Sequence, residues 1–293
     1  MEQRHLGRTG LRVSRLGLGT MGAGMAANWL AKGFPLSVWN RTPAKAQALA
    51  AKGAKAAATP REAAAGADCI FAMVADDAAS RSVWLGDDGA LAGAKPGAIL
   101  VESSTLTPDW VRELSHAAHG RGCGFLDAPV GGSRQAAASG ELRLFVGGDT
   151  ATLDKARPAL DAIGNKIDLL GPAGAGATWK LINNQLVAAQ TAALAEALDL
   201  AVKAGFKPEL ISDLVLAGAA ASPIVKIKLP RMLAGDFDQT DFALYLMLKD
   251  ARYATALAQS LGAPSDMTAG AVKAFARAEA KGLGAKDFAA VAG

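Results

Sequence analysis

The sequence is poor in cysteine and histidine, and each shortage excludes a class of protein. Its 293 residues include two cysteines, Cys69 and Cys123, each inside an apolar stretch. Two separated cysteines do not build the disulfide framework of a small secreted protein, and they suit a reducing compartment. His116 and His119 are three residues apart, but no cysteine or acidic cluster accompanies them, so we expect no metal site.

Long hydrophobic runs are also missing. A membrane-spanning helix needs roughly 20 consecutive apolar residues, and the N-terminus lacks the apolar core of a signal peptide. We therefore expect no membrane association and a cytoplasmic location. The net charge of +4 comes from basic residues spread along the chain. It does not predict a nucleic-acid partner, but it favours an anionic cofactor and substrate.

What the chain does contain is typical of a globular protein of two domains. Hydrophobic residues make up 51% of it, and its length is sufficient for two ordinary cores. In the first half, short β-rich runs alternate with alanine-rich helical segments, which is the pattern of βαβ units. The alanine-rich tract 44–58 is predicted to be helical. The predicted strands are 12–18, 35–39, 68–74, 98–102, 124–128, 142–147 and 166–170.

Beyond residue 171 the strand signals stop and only helical patterns follow. The first predicted helix, 178–204, is long and apolar, and it precedes segments at 208–217, 222–233, 242–261 and 265–281. We predict an α/β fold in which residues 1–170 form a Rossmann-type doubly wound parallel sheet. Residues 171–293 then form an all-α domain that begins with a long interdomain helix, and the active site is expected where the domains meet. The apolar helix predicts a homodimer or homotetramer.

A glycine-rich turn follows the first predicted strand and opens a helix. It reads Gly17-Leu18-Gly19-Thr20-Met21-Gly22. Glycines at this spacing permit a tight turn, bring backbone N–H groups close to a pyrophosphate, and let the helix pack on the strand. The pattern predicts dinucleotide binding, with a purely structural turn as the alternative.

The second predicted strand ends in Asn40-Arg41-Thr42. An enzyme that uses NAD commonly presents an acidic residue here to the ribose 2′-hydroxyl. The guanidinium of Arg41 can instead bind a 2′-phosphate, with neutral hydrogen bonds from Asn40 and Thr42. The sequence therefore predicts NADP(H) as the cofactor, unless Arg41 is simply a solvated side chain in a turn.

Four further motifs follow in order. They are Met73-Val74-Ala75-Asp76-Asp77, Ser103-Ser104-Thr105, Asp127-Ala128-Pro129-Val130-Gly131-Gly132-Ser133, and the segment from Gly174 to Asn184 that contains Trp179 and Lys180. With these motifs the chain resembles the β-hydroxyacid dehydrogenase family, which includes 3-hydroxyisobutyrate dehydrogenase and the glyoxylate and succinic semialdehyde reductases. The resemblance runs from about Leu16 to the C-terminus.

The resemblance implies a set of site residues. Lys180 would be the catalytic lysine, with Asn184 beside it. Substrate would be bound by Gly131, Gly132, Ser133, Trp179, Phe242 and Asp250, of which Asp250 would also support the lysine. Cofactor would be bound by the residues from Gly17 to Gly22, by Asn40, Arg41 and Thr42, and by Val74, Ala75, Thr105 and Lys249.

The spacing of these residues suits the implied chemistry. Lys180 and Asn184 are four apart on a helix, so both reach one small substrate. A lysine of ordinary pKa, about 10.4, is cationic at neutral pH and can protonate a developing alkoxide during carbonyl reduction; oxidation requires its neutral form. The backbone N–H groups of Gly131, Gly132 and Ser133 could cradle a carboxylate. Phe242, Lys249 and Asp250 have the spacing of one helical face.

The chain departs from the family pattern in three places. Residues 1–24 resemble the start of an aldo-keto reductase, and the first ten are expected to form an extra hairpin or a disordered tail. Arg15 falls where a buried central strand would hold an apolar residue. Either its side chain reaches the edge of the sheet or a cofactor phosphate, or the first strand is shifted or weakened. Gly131 stands where many members of the family carry a serine.

The sequence thus predicts an NADP-dependent oxidoreductase. It would reduce small carboxylate-bearing aldehydes such as glyoxylate and succinic semialdehyde, or oxidise 3-hydroxy acids such as 3-hydroxyisobutyrate. Two alternatives remain open at this point: an imine reductase of the same architecture and a non-catalytic NADP-binding module.

Overall fold

The structure is a computed structural model that describes residues 10–17 and 20–293. The expectations for Leu18, Gly19 and the first nine residues lie outside this part of the chain. By its internal contacts the chain divides into two compact units, with the boundary between Lys180 and Leu181. Each unit has its own core.

The first unit is built around one sheet. Its strands lie side by side in the order β3-β2-β1-β4-β5-β6-β8-β7, and β9 pairs with β8. Within the described residues the strands are β1 (Val13–Leu16), β2 (Leu36–Trp39), β3 (Lys55–Ala56), β4 (Cys69–Ala72), β5 (Ile99–Glu102), β6 (Gly124–Asp127), β7 (Val130–Gly131), β8 (Leu142–Gly147) and β9 (Gly164–Gly171).

The pairing between strands is mostly parallel. All contacts from β3 through β6 are parallel, as is the contact between β8 and β9. Strand β8 runs antiparallel to β6 and to β7. The two-residue strands β3 and β7 were not predicted, because so short a segment shows no periodicity.

Helices cover both faces of this sheet, which confirms the predicted doubly wound arrangement. Val13 and Phe71 pack on one face with Met25 and Trp29, and the opposite face packs Leu16 in a second core with residues such as Trp84. The helices are α1 (Thr20–Ala31), α2 (Pro43–Ala50), α3 (Pro60–Ala64), α4 (Asp77–Leu85), α5 (Ala90–Gly93), α6 (Pro108–Gly120), α7 (Arg134–Ser139) and α8 (Thr150–Leu160).

The prediction of a continuous helix over residues 44–58 is wrong in its second half. Helix α2 ends at Ala50, and Gly53 turns the chain with a φ of +103°. The next residues form β3, in which Lys55 pairs with Ser37 of β2. Alanine favours a helix locally, but the free edge of the sheet offers this segment backbone hydrogen bonds that override the preference.

The second unit contains only helices among the residues after Leu181, as predicted. Its first helix begins in the preceding unit and is 29 residues long. Two cores hold the unit together, one centred on Leu248 and Phe275 and the other on Leu198 and Leu229. The helices are α9 (Ala175–Lys203), α10 (Pro208–Ala217), α11 (Pro223–Ala234), α12 (Leu244–Ser260) and α13 (Asp266–Ala278), followed by a π-helical turn (Glu279–Leu283) and a 3-10 turn (Phe288–Ala292).

Along the described chain, no helix combines the length and the apolar character that a bilayer crossing requires.

Candidate active site

Four loops meet at one edge of the sheet in the first unit. Strands β1, β2, β4 and β5 are mutually parallel, so the loops that follow them all leave from their carboxyl ends. Ligands of doubly wound folds bind at this edge. The loops contain most of the predicted cofactor residues: Gly17, Asn40, Arg41, Thr42, Val74, Ala75 and Thr105.

Hydrogen bonds join these loops to each other. The backbone N–H of Gly17 donates to the carbonyl of Trp39 at 3.0 Å, and that of Met73 donates to Leu16 at 3.1 Å. The N–H of Val74 donates to the hydroxyl of Ser104 at 2.8 Å. The loops after β1, β2, β4 and β5 are thus held in a fixed arrangement.

Only glycine fits at position 17. Its φ of +78° lies in the left-handed region, and a Cβ there would stand 2.6 Å from the carbonyl oxygen of Met73. Helix α1 begins at Thr20, and its first turn contains no acidic side chain. Met21 and Gly22 lie in this turn. A helix N-terminus of this kind suits a phosphate group.

Arg41 is exposed at the end of β2 and is followed by the start of α2. The side-chain amide of Asn40 donates to the carbonyl of Thr42 at 3.0 Å, which fixes the turn. Thr42 is the N-cap residue of α2, but its hydroxyl makes no capping hydrogen bond. Arg41 and Thr42 therefore present a cation and a hydroxyl to solvent.

Glu102, which the sequence analysis did not single out, organises the loop after β5. It is fully buried and accepts hydrogen bonds from Ser80 at 2.6 Å, from Trp84 at 2.8 Å and from the backbone N–H of Ser104 at 2.9 Å. The hydroxyl of Ser104 donates to it as well. Burial raises the pKa of Glu102, while these hydrogen bonds act in the opposite direction.

The segment predicted to bind substrate leaves the sheet through β7. Gly131 pairs with Arg143 of β8, and Gly132 has a φ of +126°. Ser133 is the N-cap residue of α7, and its hydroxyl accepts from the N–H of Ala136 at 3.2 Å. Of the three residues only Gly132 has a positive φ, a conformation that L side chains rarely adopt.

An aromatic ring occupies the space beside Gly131. A Cβ at this position would lie 3.2 Å from the ring of Phe145, closer than an ordinary contact. Phe145 in turn packs edge to face on Trp179, with ring centroids 6.5 Å apart. Trp179 remains 45% exposed, so it is not a core residue. A side chain larger than that of glycine at position 131 would therefore require the ring of Phe145 to move slightly.

Asp127 anchors the start of α9, the helix that contains Trp179 and Lys180. Its carboxylate accepts from the backbone N–H of Gly174 at 2.8 Å and of Ala177 at 2.7 Å. The carboxylate is fully buried, and burial raises its pKa, opposed by the backbone hydrogen bonds. Gly176 leaves room for it, since a Cβ there would lie 2.9 Å from Oδ2. Asp127 therefore fixes where the helix begins, and with it the position of the half-buried Lys180.

In the second unit the structure brings together three of the predicted residues. The amide of Asn184 donates from Nδ2 to Oδ2 of Asp250 at 2.6 Å, and both residues are buried. The ammonium group of Lys249 lies 2.9 Å from Oδ1 of the same carboxylate. The amide oxygen of Asn184 accepts from Asn183 at 3.1 Å. The role of Asp250 in supporting Lys180 stays a prediction.

The expectation that Phe242 shares a helical face with Lys249 and Asp250 is wrong. Helix α12 begins at Leu244, with Ala243 as its N-cap, so Phe242 precedes it. Its ring packs edge to face on Phe288 at a centroid distance of 6.1 Å. The segment before the helix pairs instead with the C-terminal turn, since Ala243 forms a β-bridge with Asp287.

No group of three or more His, Cys, Asp or Glu side chains is placed to hold a metal ion within the part of the chain that the structure describes.

Two family profiles match nearly the whole chain. The NAD binding domain of 6-phosphogluconate dehydrogenase matches residues 12–171. The NAD-binding domain of NADP-dependent 3-hydroxyisobutyrate dehydrogenase matches residues 174–293.

Individual relatives agree with these profiles. The chain is 36% identical to glyoxylate/succinic semialdehyde reductase 2 of Arabidopsis thaliana over 95% of this chain and 78% of that one. It is 34% identical to the NAD-dependent L-serine dehydrogenase of Pseudomonas aeruginosa over 96% of both chains. It spans about half, 51%, of the chicken cytokine-like nuclear factor N-PAC, to which it is 35% identical over 97% of its own length.

Solved structures show the same likeness. A crystal structure of 3-hydroxyisobutyrate dehydrogenase from Salmonella typhimurium superposes with a TM-score of 0.88 at 31% identity, covering 96% of this chain and 99% of that one. The fold and the site therefore define an NAD(P)-binding oxidoreductase. More narrowly, the chain belongs to the β-hydroxyacid dehydrogenase family.

Proposed function

We propose that this chain is an NADP(H)-dependent enzyme that reduces small carboxylate-bearing aldehydes, or oxidises 3-hydroxy acids in the reverse direction. The observation that carries the proposal is the position of Lys180 on α9, four residues before Asn184 and within two turns of the helix start that Asp127 anchors. A cation and an amide on one helical face can both act on one small polar substrate.

The residues present fit the cofactor of the family. Gly17 admits no side chain, so backbone can approach a phosphate there, and α1 begins close by. When bound, the nicotinamide supplies hydride in reduction and accepts it in oxidation. The chain has no acidic residue at the end of β2, and the exposed guanidinium of Arg41 suits a 2′-phosphate.

Lys180 would donate and accept the proton of the reaction. In reduction its ammonium group stabilises the negative charge that develops on the carbonyl oxygen and donates a proton from Nζ to that oxygen. In oxidation the neutral amine accepts the hydroxyl proton. Asn184, whose amide is oriented by Asp250 and Asn183, would hold the substrate beside it.

The turn at Gly131, Gly132 and Ser133 supports a carboxylate-bearing substrate. Backbone N–H groups in such a turn bind anions. Gly131 offers the substrate no hydroxyl, and the ring of Phe145 lies beside it. The exposed indole of Trp179 offers an apolar contact instead. This favours aldehydes such as glyoxylate or succinic semialdehyde, which the relatives' names include, over 3-hydroxyisobutyrate.

The proposal is tested by following NADPH and NADH consumption with glyoxylate, succinic semialdehyde, methylglyoxal and a cyclic imine. Turnover of the two carboxylate-bearing aldehydes with NADPH, faster than with NADH and faster than that of methylglyoxal, is the expected result. Turnover confined to the imine would favour an imine reductase. NADPH binding without any turnover would favour the non-catalytic alternative.

We further propose that copies of this chain associate through the second unit. Leu186 and Leu200 of α9 are 58% and 71% exposed, and Leu210 and Leu214 of α10 are 46% and 60% exposed. Large aliphatic side chains exposed together on one unit mark a surface that is buried in an assembly. Light scattering should give the mass of a homodimer or homotetramer, and a monomeric mass would contradict the proposal.

A further inference from the structure

The central strand of the sheet contains a buried arginine. Arg15 lies in β1, which pairs with β2 on one side and β4 on the other, and its direct neighbours are Val38 and Phe71. Its exposed fraction is 0%. Its side chain leaves the strand on the same face as Val13, which packs in the core with α1. The strand itself is neither shifted nor broken.

The guanidinium lies against the first turn of α1. A Cβ built on Gly22 would stand 2.6 Å from Nη2 of Arg15 and 2.9 Å from the carbonyl oxygen of Gly17. The last glycine of the GxGxxG pattern therefore leaves space for a cation as well as for close helix packing. This places the positive charge next to Gly22, in the first turn of α1.

Among the described residues, none of the three guanidinium nitrogens has a hydrogen-bond acceptor. The charged group whose field reaches Arg15 is Glu102, yet that carboxylate already accepts from Ser80, Trp84 and Ser104. The nearest neighbours on β2, β4 and α1 carry no titratable side chain. Burial without a partner lowers the pKa of Arg15 to about 9, so it is still cationic at neutral pH.

A buried, unpaired cation is unfavourable unless a ligand neutralises it. The N-terminus of α1 adds partial positive charge at the same place. Both features favour an anion at this turn, and a dinucleotide has its diphosphate group there in folds of this type. We propose that Arg15 is a buried counter-charge for the cofactor diphosphate, acting from beside the first turn of α1.

This inference rests on dinucleotide binding, the part of the proposed function that NAD and NADP enzymes share. It does not depend on the proposed substrate or on the proposed preference for NADP. It predicts a particular pattern of cofactor affinities, because NADPH and NADH share the diphosphate. Loss of the Arg15 charge must weaken both cofactors by the same factor. Loss of a residue that reads the 2′-phosphate must weaken NADPH alone.

The test compares Arg15→Met, which keeps most of the side-chain volume without its charge, with Arg15→Lys, which keeps a cation. Arg12→Met is the matched control, because Arg12 is exposed near the start of the same strand. Calorimetric titration with NADPH and with NADH gives the dissociation constants, and thermal denaturation of the cofactor-free protein shows that each variant is folded.

Arg15→Met is expected to weaken the binding of NADPH and of NADH equally, by about tenfold or more, because a buried charge interacts strongly with a nearby anion. The same variant should melt at a higher temperature than the wild type, Arg15→Lys should retain most of the affinity, and Arg12→Met should change little. Unchanged affinity in Arg15→Met would overturn the proposal. So would a loss in Arg15→Lys as large as that in Arg15→Met, which would point to packing alone. A wild type that binds neither cofactor would overturn the proposal as well, and the NADP(H)-dependent function with it.

Discussion

Asn184 donates a hydrogen bond of 2.6 Å to the buried carboxylate of Asp250, 66 residues further along the chain. The same carboxylate pairs with Lys249. One acidic side chain thus orients the amide that we place beside the substrate and neutralises a half-buried cation.

Replacement of this carboxylate should destabilise the second unit. Asp250→Ala leaves the Asn184 donor and the Lys249 cation without their acceptor, so we expect the free energy of unfolding to fall by about 2–4 kcal/mol. Asp250→Asn keeps an acceptor and should cost less. Denaturant titration measures the loss. Asp199→Ala breaks an exposed pair with Lys203 and should cost at most about 1 kcal/mol; equal losses at the two sites would refute the assigned role.

Asp127 should be essential for the start of α9. Asp127→Ala removes the acceptor of two buried N–H groups at the helix N-terminus, and we expect a loss of about 2–4 kcal/mol. Turnover should fall as well, because the segment that positions Lys180 is released. The control is Asp149→Ala, which removes the exposed N-cap of α8 and should cost about 1 kcal/mol without affecting turnover. The two variants are compared by denaturant titration and steady-state kinetics, and a similar outcome for both would contradict this account.

Arg15 should make the stability of the cofactor-free protein depend on alkaline pH. Burial lowers its pKa to about 9 in the folded chain, well below the ordinary value that it keeps in the unfolded chain. Between these values the unfolded chain binds more protons, so the free energy of unfolding rises with pH. The wild type should therefore gain stability relative to Arg15→Met when the pH increases from about 8 to about 10. Denaturant titrations at both pH values test this, and a constant difference between the two proteins would show that Arg15 is not a buried cation.

Arg41 should determine the choice of cofactor. Arg41→Asp replaces the cation at the end of β2 with the acidic side chain that suits a free ribose 2′-hydroxyl. We expect NADPH affinity to fall by about 100-fold or more and NADH affinity to change little. Arg61→Asp, at an exposed position of α3, is the control for total charge. If NADPH and NADH weaken together in Arg41→Asp, this arginine does not bind the 2′-phosphate.

The architecture could be predicted from the sequence because its signals are long and repetitive. Alternation of β-rich and helical segments indicated the doubly wound sheet. The apolar run 178–204 indicated the long helix, which the structure begins three residues earlier, at Ala175. The failures are local. The short strand at Lys55 forms because β2 offers it a pairing partner. The alanine-rich sequence of this segment does not reveal that partner.

The candidate site was predicted less completely. Motifs identify residues that face ligands, so they led to Lys180, Asn184 and the loops at the edge of the sheet. Asp127 and Glu102 were missed as site residues, since their importance comes from backbone groups and side chains that only the fold brings to them. The oddity of Arg15 was visible in the sequence, but its unpaired state and its contact with Gly22 required the structure.

The most direct test of the central claim is the turnover of Lys180→Met with NADPH and the best aldehyde from the substrate panel. Lys203→Met, at the exposed end of the same helix, is the matched control. The account predicts that Lys180→Met loses at least about 100-fold in turnover, the lower range for a general acid, while NADPH affinity and Lys203→Met turnover stay near the wild-type values. Near-normal turnover in Lys180→Met would contradict the assignment of Lys180 as the acid and base of this enzyme.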